Sequence, residues 1–278
     1  VDFGTKRTPG RDDVRRDAAY RSVLSVVQRG ITRLRESLLT SLEAAAKADE
    51  AAPYDALVAR VLDEASALRL ALEDVPLVLL EARQGERIAR LRERGARIAL
   101  ARGRSPVTAA LAGEGWAVLD AQRNDARMLN AIVERHGELP EVERGFTFAA
   151  PAAAKPHDDV LLTLLVERLE HAWRDPRRPR IATLLGAHRE RVAGGFAADT
   201  RLVAGDLPNP FGLLRRAPLV LNAAHPVVEE ARARVRAEPE LAAALLARAV
   251  LLDHEALDEA RDARLTAGAL DALLGDAP

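Results

Sequence analysis

The chain has 278 residues, enough for one large domain or two of ordinary size, and 48% of them are hydrophobic although only 3% are aromatic. Its 41 basic and 42 acidic side chains give a net charge of -1, so no global field attracts nucleic acid or an anionic membrane. The absence of cysteine excludes disulfides, thiolate metal sites and cysteine nucleophiles. No apolar run approaches the roughly 20 residues that a bilayer span needs, and nothing resembles a signal peptide, so a cytoplasmic location is expected.

The first predicted region is a helical hairpin over residues 1–74. Apolar residues recurring at three- and four-residue steps predict one long helix over residues 13–47, kinked or interrupted at Gly30. Pro53 then begins a second helix, predicted over residues 54–72, whose apolar face packs against the first helix.

An α/β unit is predicted over residues 75–137, because short apolar segments there alternate with capped helical patterns. Ser105 is the expected N-cap of one of these helices, with Pro106 at its first position, since a serine side chain accepts a hydrogen bond from an unpaired backbone N–H group. The expected strands are 76–80, 97–100 and 116–119, and the expected helices are 86–94, 105–112 and 125–133. Strands separated by helices of this length predict βαβ crossovers.

Residues 138–157 contain prolines, glycines and an alanine-rich stretch, which predicts a hinge or boundary loop. Residues 158–278 are predicted to form a second α/β unit that ends in a helical module, with strands at 181–185 and 218–221 and helices at 158–173, 240–252 and 266–274. The expected fold class is therefore α-rich α/β, with an N-terminal helical hairpin, a central mixed or parallel sheet with crossover helices, and a C-terminal helical region.

The strand predicted at 218–221 leads into the most interesting polar pair, Asn222 and His225. Pro226 follows and fits the first turn of a helix, where its missing N–H costs nothing. Ligands usually bind at the carboxyl ends of parallel strands, which makes Asn222 and His225 candidate ligand-binding residues. The competing interpretation is turn chemistry alone, because Asn suits tight turns and the residue before Pro favours an extended backbone.

Two groups of arginines are candidate binding residues. Arg102 and Arg104 follow the strand predicted at 97–100 and could face a ligand or simply solvent. The proline-containing tract 174–180 supplies four more arginines that could grip an anion, or could solvate a connection between two elements. The candidate anion-binding residues of this tract are Arg174, Arg177, Arg178 and Arg180.

The remaining motifs favour structural roles. The glycines at 186, 194 and 195 match neither a phosphate-binding loop nor a dinucleotide-binding loop. His157, Asp158 and Asp159 have metal-ligand chemistry but are also typical of the beginning of a helix, and no zinc-binding histidine spacing occurs. The serines lie on helical patterns without a nucleophile motif. We therefore expect no cofactor or metal, and no catalysis by this chain alone.

Two stretches of the chain carry a family resemblance. They resemble the region downstream of the ATPase domain in bacterial Hsp90-like proteins of the gyrase/histidine-kinase/Hsp90 ATP-binding superfamily. The first stretch consists of residues 76–103 followed by 115–137, and the second consists of PLVLNAAHPVVEEARARV followed by ALLARAVLLDHEALDEA. The resemblance implies an apolar strand tagged Asn-x-x-His-Pro ahead of a helical C-terminal module. It also implies an upstream ATPase domain, and a first residue other than Met fits a chain that begins after one.

The expected function is therefore a non-catalytic, chaperone-like interaction module, the middle and C-terminal part of a larger cytoplasmic Hsp90-like ATPase. The expected partners are another protein or the upstream ATPase domain, together with a second copy through residues 240–274, where leucines and alanines surround one helix. No membrane partner is expected. Two alternatives stay open: an α/β enzyme that binds a small molecule or nucleotide at the carboxyl edge of its sheet, and nucleic-acid binding through residues 174–180.

Overall fold

A computed structural model describes residues 18–48, 51–63, 66, 68–81, 86–170, 172–173, 175, 177–197, 200–212 and 217–275, and it confirms the α-rich α/β class. The helices are α1 (Ala18–Lys47), α2 (Ala51–Leu62), α3 (Ile88–Glu93), α4 (Pro106–Gly113), α5 (Ala126–His136), α6 (Val142–Gly145), α7 (Asp158–Leu169), α8 (Pro226–Arg234), α9 (Pro239–Asp253) and α10 (Glu259–Gly275). The strands are β1 (Pro76–Leu77), β2 (Glu86–Arg87), β3 (Ile98–Ala101), β4 (Ala117–Asp120), β5 (Phe146–Pro151), β6 (Arg180–Gly186), β7 (Ala193–Gly195), β8 (Leu202–Ala204) and β9 (Leu219–Asn222).

The described residues fall into two compact units, the first within Val1–Gly103 and Gly115–Leu139 and the second within Arg104–Glu114 and Pro140–Pro278. In the first unit, the C-terminal part of α1 and the helix α2 cover a core that also includes residues of β1, β3 and β4, while β2 pairs with β1. The β1–β2 pair is antiparallel, and the β3–β4 pair is parallel. The phenol of Tyr54, which is fully buried, donates a 2.6 Å hydrogen bond to the carbonyl of Pro76 and ties α2 to β1.

The helical hairpin is present, but its details differ from the prediction. α1 continues through Gly30 without interruption, and its predicted beginning at residues 13–17 lies outside the described residues. α2 ends at Leu62 rather than at residue 72. Beyond it, the hydroxyl of Ser66 accepts a hydrogen bond from the backbone N–H of Leu68, a local pairing that competes with continuation of the helix.

The second unit is built on a five-stranded mixed sheet in the order β7-β9-β6-β5-β8, in which only β6 and β9 run parallel to each other. Leu219 and Leu221 of β9 point into the core formed with the helices α7 to α10, whereas Val220 packs on the opposite face with Leu184 and Phe196. This alternation is what a strand covered on both faces requires.

Residues 138–157 were predicted as a hinge or boundary loop, yet they include β5, which pairs with both β6 and β8. Phe146, Thr147 and Ala149 of this strand are buried, and the exposed Pro151 stands at its end, where a missing N–H is tolerated. Local proline content therefore concealed an interior strand of the sheet. The strand β8 was not predicted either, because it is only three residues long and is followed by a segment that contains glycines and prolines.

The C-terminal region is helical, as predicted. α8 begins at Pro226, and α9 packs against α7, α8 and α10. α10 begins at Glu259, earlier than the predicted residue 266.

Candidate functional site

The carboxyl end of the parallel β6–β9 pair is where a ligand was expected, and Asn222 lies there with no exposed surface. Its amide nitrogen donates to the carbonyls of Arg189 (2.7 Å) and Arg191 (3.0 Å). Its amide oxygen accepts from the backbone N–H groups of Leu184 (3.1 Å) and Ala224 (3.2 Å). Two donors and two acceptor positions are the full capacity of an asparagine side chain, so these bonds engage it completely.

His225 begins α8 rather than facing a pocket. Its ring Nδ1 accepts a 3.2 Å hydrogen bond from the backbone N–H of Val227, and its extended backbone (φ -75°, ψ 132°) is the ordinary conformation before Pro226. The geometry at both residues favours the turn interpretation that the sequence left open. Ligand binding by Asn222 and His225 remains a prediction.

The β6–β7 turn next to Asn222 is fastened by a second polar residue that sequence reasoning missed. The carboxylate of Asp253, at the end of α9, accepts hydrogen bonds from the backbone N–H groups of Val192 (3.1 Å) and Ala193 (3.4 Å). It also lies 3.4 Å from the guanidinium of Arg191. Asn222 and Asp253 therefore hold the same turn from two sides, and no sequence motif links them.

His254 is buried beside this turn and stacks obliquely on Phe211, with ring centroids 5.5 Å apart. Arg191 donates to its Nδ1 at 3.4 Å. Burial and the nearby Arg191 charge lower the pKa of His254, and the Asp253 carboxylate and a backbone hydrogen bond only partly oppose that shift. The imidazole is therefore held neutral, as a packed group rather than as an acid or base open to solvent.

Thr147, His188 and Asp206 form a polar series near the same edge of the sheet. The hydroxyl of Thr147 lies 2.8 Å from Nδ1 of His188, and Nε2 of His188 lies 4.0 Å from the carboxylate of Asp206. The residue types match a hydrolytic triad, but Thr147 has no exposed surface and cannot meet a substrate. The hydroxyl therefore orients His188.

The candidate arginines Arg102 and Arg104 lie on the connection between β3 and α4. Arg102 follows β3 directly and belongs to the first unit, and Arg104 precedes α4 and belongs to the second; both are exposed, and both interact with another group of the chain. A joint ligand-binding role for Arg102 and Arg104 with Asn222 and His225 remains a prediction.

The basic tract 174–180 is largely compensated within the chain. Arg177 forms a bidentate pair with the buried carboxylate of Asp175 (2.9 and 2.7 Å). Arg178 binds the carbonyl and the carboxylate of Asp159, at 2.7 and 3.0 Å. Arg180 donates to the carbonyl of Thr200 and lies over the ring of Phe196, and burial together with Arg201 lowers its pKa. Arg174 lies outside the described residues. Anion binding by this tract remains a prediction.

The glycines around β6 and β7 have packing roles. Gly186 adopts φ +91°, and a Cβ there would lie 2.2 Å from the carbonyl oxygen of Phe146. A Cβ on Gly195 would lie 2.3 Å from the carbonyl oxygen of Pro208. Both positions require glycine because another backbone passes too close for a side chain, which accounts for them without a phosphate.

The predicted His157–Asp158–Asp159 cluster begins α7. His157 adopts a left-handed conformation (φ 70°), and the Asp158 carboxylate is bound by the guanidinium of Arg232 at 2.8 and 2.6 Å. In the described part of the chain, no group of three or more potential metal ligands is brought together.

An apolar groove lies on the surface of α8 and α9 in the second unit. It has a volume of about 520 Å³. Leu245 and Leu252, one heptad apart on α9, stand on it with 46% and 57% of their surface exposed. The groove is lined by Pro226, Val227, Glu230, Ala231, Arg234, Ala242, Leu245, Arg248, Ala249 and Leu252.

Half of the α9 leucine and valine side chains point into the second unit's own core. Leu246 and Val250 have no exposed surface and Leu251 is buried, so the domain itself covers the face on which they lie.

Comparison of the sequence with models of known protein families and with curated proteins finds no match. Within the described residues, no helix combines the length and the apolar character needed to cross a membrane.

Proposed function

We propose that this chain is a non-catalytic, chaperone-like interaction module, the middle and C-terminal part of a larger cytoplasmic Hsp90-like ATPase of bacteria, and that it associates with a second copy through the α8–α9 groove. The observation that carries the proposal is the groove with its two exposed leucines. The polar residues expected to bind a ligand, Asn222 and His225, instead bind the backbone of their own unit.

The composition of the groove favours a second copy as its occupant. It combines two large, half-exposed side chains, Leu245 and Leu252, with small side chains at Ala231, Ala242 and Ala249. A two-fold axis would place the leucines of one copy against the alanines of the other, and such isologous contacts are the commonest in protein oligomers. The rim carries both signs of charge, from Glu230, Arg234 and Arg248, so two copies can approach without a net repulsion.

The expected dimer is weak to moderate. Leu245 and Leu252 are about half exposed, so burying the four leucines of two copies contributes roughly 3–6 kcal/mol. Association itself costs about 4–15 kcal/mol in lost translational and rotational freedom. The leucines alone therefore do little more than offset the lower end of that cost, and the remaining groove contacts decide the affinity.

Light scattering over a hundredfold range of protein concentration tests this association. We expect the mass to rise toward that of a dimer in the parent protein and to stay monomeric in Leu245→Glu/Leu252→Glu. The matched control is Val160→Glu on α7, because Val160 is exposed to the same extent (44%) as Leu245. Leu246 is unsuitable for this test, because a charge at a fully buried position would unfold the unit. A monomeric mass throughout would contradict the proposed dimer.

Two further measurements separate the chaperone part of the proposal from the dimer. We expect the parent chain to reduce heat-induced aggregation of a model client protein, and a chain without this effect would contradict the chaperone-like role even if it dimerised. The Hsp90-like part is tested by the reading frame upstream of Val1. A neighbouring sequence without an ATPase domain of that superfamily would contradict it.

A further inference from the structure

The first half of α1, residues 18–35 (called here the α1 surface), is an amphipathic helix, and none of its side chains belongs to the apolar core described for its unit. Only Leu42, Ala45 and Ala46 of α1 are buried, and all three lie near its C-terminal end. Leu24, Val26, Val27 and Leu34 are each 41–57% exposed. Exposed apolar side chains in a continuous stripe of this kind mark an interaction surface.

The α1 surface places its charges on both flanks of the apolar stripe. At about 100° per residue, the apolar side chains cover an arc of roughly 160°. Arg33 and Arg35 lie about 100° from the centre of this arc, on opposite sides, and Arg21 and Arg29 lie about 140° from it, again on opposite sides. All four arginines are exposed. The apolar members of the arc are Tyr20, Val23, Leu24, Val26, Val27, Ile31 and Leu34.

The local charge is strongly positive, although the whole chain carries -1. Residues 18–35 contain four arginines and no carboxylate, and residues 1–17 contain five basic and four acidic side chains. Charges beyond about 10 Å are screened at moderate salt, so a surface pressed against the helix responds to this local excess rather than to the net charge of the chain.

A cleft at the C-terminal end of the α1 surface continues the same chemistry. It has a volume of about 690 Å³, and Arg35, Arg69 and Arg127 line it together with leucines. Arg127 is held by the carboxylate of Asp125 at 3.0 Å, and Arg35 and Arg69 also interact with other groups of the chain. The cleft therefore extends the positive charge of the α1 surface next to apolar side chains.

We propose that the α1 surface lies along an anionic lipid surface, with its apolar arc in the acyl boundary and its arginines at the level of the headgroups. A helix with a wide apolar arc, basic flanks and a low overall hydrophobicity has the properties of an interfacial helix. It lies in the plane of the membrane and does not cross it.

A second copy fits the α1 surface less well. A two-stranded coiled coil would leave Val23 and Val26 outside the narrow seam that a and d positions form. It would also bring eight arginines together with no carboxylate in residues 18–35 to pair with them. An anionic bilayer satisfies both features at once, because it accepts a broad apolar face and supplies negative charge on either side.

Co-sedimentation of the full chain with vesicles tests the proposal. We expect partitioning onto vesicles of equal parts phosphatidylcholine and phosphatidylglycerol, much weaker partitioning onto phosphatidylcholine alone, and a decrease as salt is raised. Arg29→Ala/Arg33→Ala should weaken partitioning by about thirtyfold, which corresponds to about 1 kcal/mol for each arginine near the surface. Val27→Glu/Leu34→Glu should abolish it.

The control is Arg144→Ala/Arg189→Ala, which changes the net charge equally at two exposed arginines of the second unit and should partition like the parent. Circular dichroism checks the fold of each variant. The Val27→Glu/Leu34→Glu variant should fold, because both residues lie outside the core. Three results would overturn the proposal. They are a parent chain that does not partition onto the anionic vesicles, equal partitioning onto neutral vesicles, and a loss of partitioning in the Arg144→Ala/Arg189→Ala control as large as that in Arg29→Ala/Arg33→Ala. A dimer mass of the parent in light scattering that only Val27→Glu/Leu34→Glu abolishes would also overturn it, because a second copy would then cover the α1 surface.

Discussion

Asn222→Ala removes the side chain that connects β9 to both β6 and the β6–β7 turn. The substitution leaves four backbone groups without their partner: the N–H groups of Leu184 and Ala224 and the carbonyls of Arg189 and Arg191. Each unsatisfied buried group costs about 1–3 kcal/mol, so two that stay dry cost about 2–6 kcal/mol. That is a large fraction of the 5–15 kcal/mol that typically stabilises a domain.

Asn222→Asp is a sharper test, because it conserves shape and reverses the hydrogen-bonding character. The carboxylate would face the carbonyl oxygens of Arg189 and Arg191, which now lie 2.7 and 3.0 Å from the amide nitrogen, at a site without exposed surface. Burial and repulsion should raise its pKa in the folded state above the unfolded value. The folded state then binds more protons, so the variant should be less stable than Asn222→Ala at neutral pH and should recover as the pH falls.

Urea unfolding followed by tryptophan fluorescence measures these changes. Trp173 is buried in the second unit, and a Trp116→Phe background makes it the sole tryptophan, since the chain contains two. The control is Asn130→Ala on the exposed face of α5, which should change the free energy of unfolding by less than about 0.5 kcal/mol. If Asn222→Ala unfolds like this control, the structural role assigned to the side chain is wrong. Tight binding of a ligand that only the parent shows would then restore the ligand-binding interpretation.

Three further predictions concern buried groups of the second unit. Arg232→Ala should lower the free energy of unfolding in urea by about 3–5 kcal/mol, because it leaves the Asp158 carboxylate without its ion-pair partner. The pair is largely buried, with Arg232 only 4% exposed. Burial alone would raise the pKa of Asp158, but hydrogen bonds from Arg232 and from a backbone N–H lower it. The parent should therefore lose this stability as the pH falls through that lowered pKa, and Arg232→Ala should lose less. The pKa of His254 is lowered by burial and by Arg191, so the stability that depends on its neutral form is complete above the unfolded pKa of about 6.5 and falls below it. A pH series of thermal unfolding should show that slope in the parent and a flatter one in His254→Gln. Gly195→Ala should destabilise the second unit strongly, since its Cβ would lie 2.3 Å from a carbonyl oxygen, and unchanged unfolding would show that the backbone yields there.

Much of the local structure could be predicted because its causes lie within a few residues. Ser105 caps α4 through a reciprocal pair with Thr108, and Asp125 caps α5 by accepting from the N–H of Arg127. Pro226 occupies the first turn of α8, as its fixed φ favours. Each of these ends depends on a side chain and a backbone group that are neighbours in the sequence.

The strand β5 could not be predicted in the same way. Its proline and alanines predict a loop, and its place in the sheet depends on β6 and β8, which lie more than 30 residues away. Asn222 shows the same limit at a single side chain. The sequence identified it as a polar residue at the end of a strand, but the partners that decide its role are 31–38 residues away.

The helices α1 and α9 show why periodicity predicts an apolar surface but not what covers it. In α9, Leu245 and Leu246 are adjacent and chemically identical, yet one is 46% exposed and the other has no exposed surface, because α7, α8 and α10 pack on a single side. In α1, the same periodic pattern runs from Ala19 to Leu42, but only its C-terminal end meets a core. The charge around each surface then separates the partners: the mixed rim of the groove suits a second copy, whereas the all-basic flanks of α1 suit an anionic surface.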